Sequence, residues 1–196
     1  PTGSSTPRGF LVRLAQAPTE ANIANNSIRA YKQINRTLTN EAGTLIPDVS
    51  FAGPEGGAYA VDTVNFEKEA SDVEIIDLES NPLAFFASQV FPGTPGSEGT
   101  TDKFAVEVTG FLELPAGATT FGISTTAERT DVNDDDGYQV FFATNPRDFF
   151  GLKVGEYERI APGFQSGWRN ENQVTVVAPT AGMYPCLLYT SPSPQD

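Results

Sequence analysis

From Phe104 to Leu114 the chain alternates in a way that suits only an extended strand. Phe104, Val106, Val108, Leu112 and Leu114 share one parity, and Glu107, Thr109 and Glu113 the other. Successive side chains of a strand point to opposite faces, so this run has one apolar and one polar face. Pro115-Ala116-Gly117 follows at once and predicts a tight turn into a second strand over 119–125, making a hairpin.

The same texture extends over most of the chain. Phe10-Leu11-Val12-Arg13-Leu14 reads as a first strand, and further strands are expected over 59–66, 73–78, 138–142 and 173–178. One helix is expected near residues 22–34, where Ile23, Ser27/Ile28, Tyr31 and Ile34 fall at helical spacing with Arg29 and Lys32 outside. Thr19 or Asn22 is placed to cap it. Residues 35–57 are rich in Thr, Asn, Gly and Pro and read as loop with short extended pieces. Fourteen Phe and six Tyr among 196 residues supply a core despite 18 Gly and 15 Pro.

Charge and missing residue types narrow the chemistry. The chain has no histidine, which removes Ser-His-Asp and Cys-His triads and His-ligated zinc. A net charge of −13 disfavours nucleic acid and anionic membrane as partners, because both recruit Lys and Arg. The charge is unevenly placed: residues 1–50 carry +2 and residues 51–185 carry −14. No apolar run approaches the ~20 residues that cross a bilayer as a helix.

Both ends read as boundaries of a piece. Residue 1 is not Met, and residues 1–8 read as linker or disordered chain ahead of one domain over 9–185. Cys186-Leu-Leu-Tyr-Thr-Ser-Pro-Ser-Pro-Gln-Asp196 differs in composition from what precedes it and resembles the peptide obtained when a sequencing adapter is translated in frame. Residues 186–196 are therefore expected to be a non-native tail, the alternative being a native Ser/Pro-rich linker.

The order of several short motifs carries a family resemblance. Phe104-Ala-Val-Glu-Val-Thr-Gly-Phe-Leu-Glu-Leu-Pro-Ala-Gly117 precedes Thr120-Phe-Gly-Ile-Ser124, then Asp135-Asp136-Gly137-Tyr138-Gln-Val140, then Val174-Thr-Val-Val-Ala-Pro-Thr-Ala-Gly-Met-Tyr-Pro185. This resembles the protective-antigen 14-kDa domain of bacterial secreted enzymes, toxins and adhesins, over roughly residues 60–185. The resemblance implies an antiparallel β-sandwich of jelly-roll type, all-β apart from the peripheral N-terminal helix. It implies an extracellular or cell-surface setting, with flanking domains in a parent protein. Two departures stand out: ten residues separate Ser124 from Asp135, and the family's last strand runs several hydrophobic residues beyond Tyr-Pro.

Asp131-Val-Asn133-Asp134-Asp135-Asp136-Gly137 is the chemically most suggestive stretch. Carboxylates crowded in one loop repel each other, and a hard cation relieves that repulsion. The spacing is not that of an EF-hand. Lectin-like members of the resembled family hold Ca²⁺ on adjacent aspartates, which implies Asp135 and Asp136 as ligands, with Asn133 or Asn145 as neighbours and Asp131 and Asp134 in the same cluster. The structural alternative is an exposed Asp/Asn turn. Trp168, with Tyr157, Phe164 and Arg169 near it in sequence, is a candidate sugar platform, the alternative being a partly buried core Trp.

No catalytic residues are assigned. With 25 acidic side chains, any pair of carboxylates can be chosen for a glycosidase, so that pattern carries almost no information. The expected function is a non-catalytic recognition or adhesion module for a glycan or cell-surface polysaccharide, assisted by Ca²⁺. A structural spacer domain is the alternative, and a carboxylate-based hydrolase the third reading.

Overall fold

The structure is a computed structural model that describes residues 9–24, 26–67, 89–123, 137–142, 145, 147–148, 150–157 and 173–191. The elements run β1 (Phe10–Gln16), α1 (Ser27–Ile34), β2 (Tyr59–Val61), β3 (Phe66–Glu67), β4 (Gln89–Val90), β5 (Phe104–Leu114), β6 (Gly117–Gly122), β7 (Gly137–Phe142), β8 (Leu152–Tyr157), β9 (Gln173–Ala178) and β10 (Gly182–Ser191). The strand expected over 73–78 lies outside the described residues.

Six strands form one antiparallel sheet in the order β2-β1-β5-β10-β7-β8. The β6–β9 ribbon is a separate antiparallel pair, and β3–β4 a short parallel one. Among the described residues the chain is mostly β, with one short helix.

The alternating run forms β5 over the full Phe104–Leu114, but its expected hairpin does not form. β5 already has β1 on one edge and β10 on the other, so no edge is left for residues 117–122. Pro115-Ala116-Gly117 acts as a corner instead. β5 and β10 pair as far as Leu114 opposite Gly182, and pairing resumes with Gly117 opposite Ala178 in the ribbon. Between those pairs stand Pro115 and Ala116 on one chain and Pro179, Thr180 and Ala181 on the other. Prolines cannot donate to a ladder, and here both chains of one antiparallel pair break together and leave the sheet. The Tyr184 hydroxyl braces the corner by donating to the Thr180 carbonyl at 2.6 Å.

The ribbon then lies over one face of the sheet. Val174, Val176 and Ala178 from β9 pack with Leu114, Tyr138 and Val140, and Phe121 with Phe142. On the same face, toward β1, Val12, Leu14, Phe104, Val106 and Val108 pack with Phe66 and Phe91. The glycine of β8 is needed for close approach: a Cβ on Gly155 would meet Val174 Cγ2 at 2.5 Å. On the opposite face, α1 sets Ala30 and Ile34 against Ala15, Ala105, Phe141, Leu187 and Tyr189.

The helix differs from expectation in start and facing. Its cap is Asn26, whose Oδ1 accepts the Arg29 N–H at 2.8 Å, so the helix begins later than Thr19 or Asn22 would allow. Arg29 is 3% exposed and Ile28 66% exposed, the reverse of a simple amphipathic reading. Arg29 Nη1 donates to the Phe104 carbonyl at 2.9 Å, and Gln33 Nε2 to the carbonyls of Ala15 at 2.8 Å and Lys103 at 2.7 Å. An eight-residue helix has little stability of its own. This one is held by polar side chains that satisfy carbonyls at the sheet's end, with Ala30 and Ile34 filling the space between.

β10 is last in sequence and central in the sheet. Residues 182–190 pair with β5, and 186–191 with β7. Leu187 and Tyr189 point to the helix face, while Leu188 packs on the ribbon face. Residues 186–191 thus take a core place in this chain. That place follows from the continuous apolar run Cys186–Tyr189, which suits a strand covered on both faces, and carries no information on their origin.

Candidate functional site

Most of the sequence's candidate ligands lie outside the described residues: Asp131, Asn133, Asp134, Asp135, Asp136 and Trp168. Tyr157 is the last residue of β8, and its backbone pairs with Tyr138. Asn145 lies in the β7–β8 connection, where its Oδ1 accepts the Arg147 N–H at 3.2 Å, an Asx turn. Among the described residues, no group of three or more acidic, Cys or His side chains is gathered closely enough to hold a metal.

The strand register fixes where the two candidate segments are tied down. Segment 124–136 leaves the ribbon after Gly122–Ile123 and rejoins the sheet at Gly137. Segment 158–172 leaves β8 after Tyr157 and rejoins the ribbon at Gln173. Gly122 is paired with Gln173, and Tyr138 with Tyr157. The acidic segment and the Trp168 segment are therefore tethered to the same two pairs of strand ends.

A polar row crosses the helix face of the sheet. By register, Arg13, Glu107, Tyr189, Gln139 and Glu156 stand side by side on five adjacent strands. Glu107 is 2% exposed. Its carboxylate accepts from Arg147 Nε at 2.9 and 3.1 Å, and Arg13 Nη1 lies 3.7 Å away. The Tyr189 hydroxyl donates to Gln139 Oε1. Gln139 Nε2 donates to Ser27 Oγ of the helix at 3.2 Å and to Glu156 Oε1.

A bulge sets the end of this row. Residues three apart on a regular strand face opposite sides, yet Lys153 pairs with Glu156. The register shift opposite Val140/Phe141 adds a residue to β8 and brings both side chains to one face. The Lys153 hydrogen bond holds the Glu156 carboxyl below the ordinary glutamate range; partial burial opposes this and the Gln139 amide adds to it.

Glu107 is a buried carboxylate whose oxygens are engaged by guanidinium groups, which offsets the cost of burying its charge. Glu107 and Glu156 are separated by three inter-strand steps, about 14 Å of sheet. Glycosidase carboxylates stand at about 5 to 9.5 Å, so these two are not such a pair.

Sequence parity placed Glu107 and Thr109 on the polar side of β5, and both are buried, with Thr109 6% exposed. A central strand covered on both faces carries its polar residues inward, where Arg147 and Arg13 meet the Glu107 carboxylate and Thr109 Oγ1 donates to the Leu11 carbonyl. The available signal was the polar residue at the centre of the longest strand, but its partners Arg147 and Arg13 lie far from it in sequence.

Comparison with protein-family models, with curated proteins and with solved structures found no match to this chain.

Proposed function

We propose that this chain is a non-catalytic recognition or adhesion module of a larger bacterial surface or secreted protein, binding a glycan with the help of Ca²⁺. The observation that supports this reading best is the shared tethering of segments 124–136 and 158–172. Cation-type ligands (Asp131, Asn133, Asp134, Asp135 and Asp136) and an aromatic platform (Trp168, with Tyr157) are carried by chain segments that start and finish at the same strand ends. Sugar recognition needs both chemistries together: oxygens or a cation for hydroxyls, and an aromatic face for the C–H side of the ring. Asn145, in the adjoining β7–β8 connection, is the further polar neighbour. The jelly-roll sandwich of the resembled family belongs to the same proposal, with the ribbon as part of the second sheet.

Melting in excess Ca²⁺ against melting with chelator tests the cation. A ligand that binds only the folded state at 100 times its Kd adds about 2.7 kcal/mol of apparent stability. The expected result is a higher midpoint with Ca²⁺ that disappears in Asp135→Asn plus Asp136→Asn. Equal midpoints with Ca²⁺ and chelator, or an unchanged response in the double variant, would remove calcium from the reading.

A further inference from the structure

We propose that Glu107 is the hub of a two-position switch: its carboxylate passes from Arg147 to Arg13, and the β7–β8 connection lifts from the sheet. Arg147 belongs to that connection, which leaves β7 after Phe142 and enters β8 at Leu152. β10 stands between β7 and β5, so the contact from Arg147 to Glu107 reaches across two inter-strand steps, about 10 Å. The rest of the connection bonds locally. Asp148 N–H donates to the Asn145 carbonyl at 3.3 Å, Phe150 N–H to Asp148 Oδ1 at 3.0 Å, and Gly151 N–H to the Asp148 carbonyl at 3.1 Å. Among the described residues of the connection, Arg147 supplies the polar tie to the sheet.

Two observations support an exchange of partners over a fixed pair. The first is a stand-in already in place. Arg13 is directly opposite Glu107 on β1. Its Nη1 lies 3.7 Å from the Glu107 carboxylate and its Nη2 3.5 Å from the Gly56 carbonyl, both at or beyond the outer limit of a hydrogen bond. A small side-chain rotation therefore closes it on the carboxylate. The second is unequal access to water. The Arg147 side chain is 43% exposed and that of Glu107 2%. Water receives the departing guanidinium but does not reach the carboxylate, and a buried charge left bare is strongly unfavourable. A second guanidinium within reach removes most of that cost, so the connection lifts without stranding Glu107. Phe150, carried by the same connection, is 97% exposed, so its side chain adds no packing that resists the movement.

Hydrogen exchange at Arg147 Nε–H, followed by NMR in the full chain, reads the opening directly, because that proton is bonded to Glu107. The expected rate is independent of low urea concentrations, whereas backbone amides of β5 exchange by urea-dependent global unfolding. Arg13→Gln removes the stand-in, and exchange at Arg147 should slow about tenfold. A contact that only stabilised the fold would act in the opposite direction, its loss speeding exchange. Arg13→Lys keeps the charge and should recover most of the native rate. In Arg147→Ala, the Arg13 guanidinium protons should become slow to exchange as they take over the carboxylate. Exchange at Arg147 that is unchanged or faster in Arg13→Gln would overturn the proposal. So would a urea dependence equal to that of β5, or an Arg13 that gains no protection in Arg147→Ala.

Discussion

Glu107 sits in the middle of the sheet with 2% exposure, and the two arginines that hold it are unequal. Arg147 makes the close contacts, at 2.9 and 3.1 Å, whereas Arg13 stands at 3.7 Å. Arg147→Ala would leave a buried carboxylate with only the distant partner. Breaking a fully buried pair costs 3–5 kcal/mol, and the 43% exposure of Arg147 reduces this to about 2 kcal/mol. Urea unfolding of the variant checks it, and a loss below the error of extrapolation would mean that Glu107 does not depend on Arg147.

Cys186 gives a pH-dependent prediction. Burial raises its thiol pKa to about 11, and a backbone hydrogen bond of Gly110 opposes this. A thiol pKa raised by folding means that the unfolded chain ionises first, so this group lowers stability as pH climbs from about 9 towards 11. At pH 8 the native thiolate is about 100-fold scarcer than in the unfolded chain. Iodoacetamide should therefore label Cys186 slowly in native protein and quickly in urea; equal rates would contradict its placement between β5 and β7.

At the scale of elements, α1 shows what a sequence pattern leaves out. Ile23, Ile28, Tyr31 and Ile34 fit one apolar stripe, yet the helix turns Arg29 and Gln33 inward because carbonyls of Ala15, Lys103 and Phe104 end the strands beneath it. Each hydrogen bond to a buried carbonyl is worth about 0.5–1.5 kcal/mol, and the two that Gln33 makes together exceed the gain from covering more of Ile28. Gln33→Ala should accordingly destabilise by about 1–3 kcal/mol, and Ile28→Ala by less than about 0.5 kcal/mol. Thermal melts of the two variants decide it, and a larger loss at Ile28 would restore the apolar stripe.

Strand patterns were more legible. Residues 104–114 and 173–178 form strands over the expected spans, because alternation is local and strong. The Pro115–Gly117 corner was not legible as such. Whether a turn reverses the chain or carries it into another layer depends on which edges of β5 are free, and that depends on β1, 90 residues earlier, and β10, 70 residues later. β8 escaped notice for a related reason, since its bulge breaks the alternation that would have marked Leu152–Tyr157.

At the scale of the molecule, the last strand joins the two halves of the sheet. In the sheet order of the described residues β10 stands between β2-β1-β5 and β7-β8, and the consecutive Leu187, Leu188 and Tyr189 supply apolar cover on both faces. The candidate site was legible as chemistry but not as geometry. The acidic cluster at 131–136 and Trp168 stand out in the sequence, whereas their common tether appears only once Gly122 is paired with Gln173 and Tyr138 with Tyr157.

The most direct measurement is binding of the intact chain to a glycan array in Ca²⁺ and again with chelator. The account predicts a sugar signal that requires Ca²⁺ and is lost in both Trp168→Ala and Asp135→Asn plus Asp136→Asn, with melting in chelator unchanged by either. Silence across the array in Ca²⁺ would contradict recognition and favour a spacer domain, and release of sugar from a bound polysaccharide would contradict the non-catalytic reading.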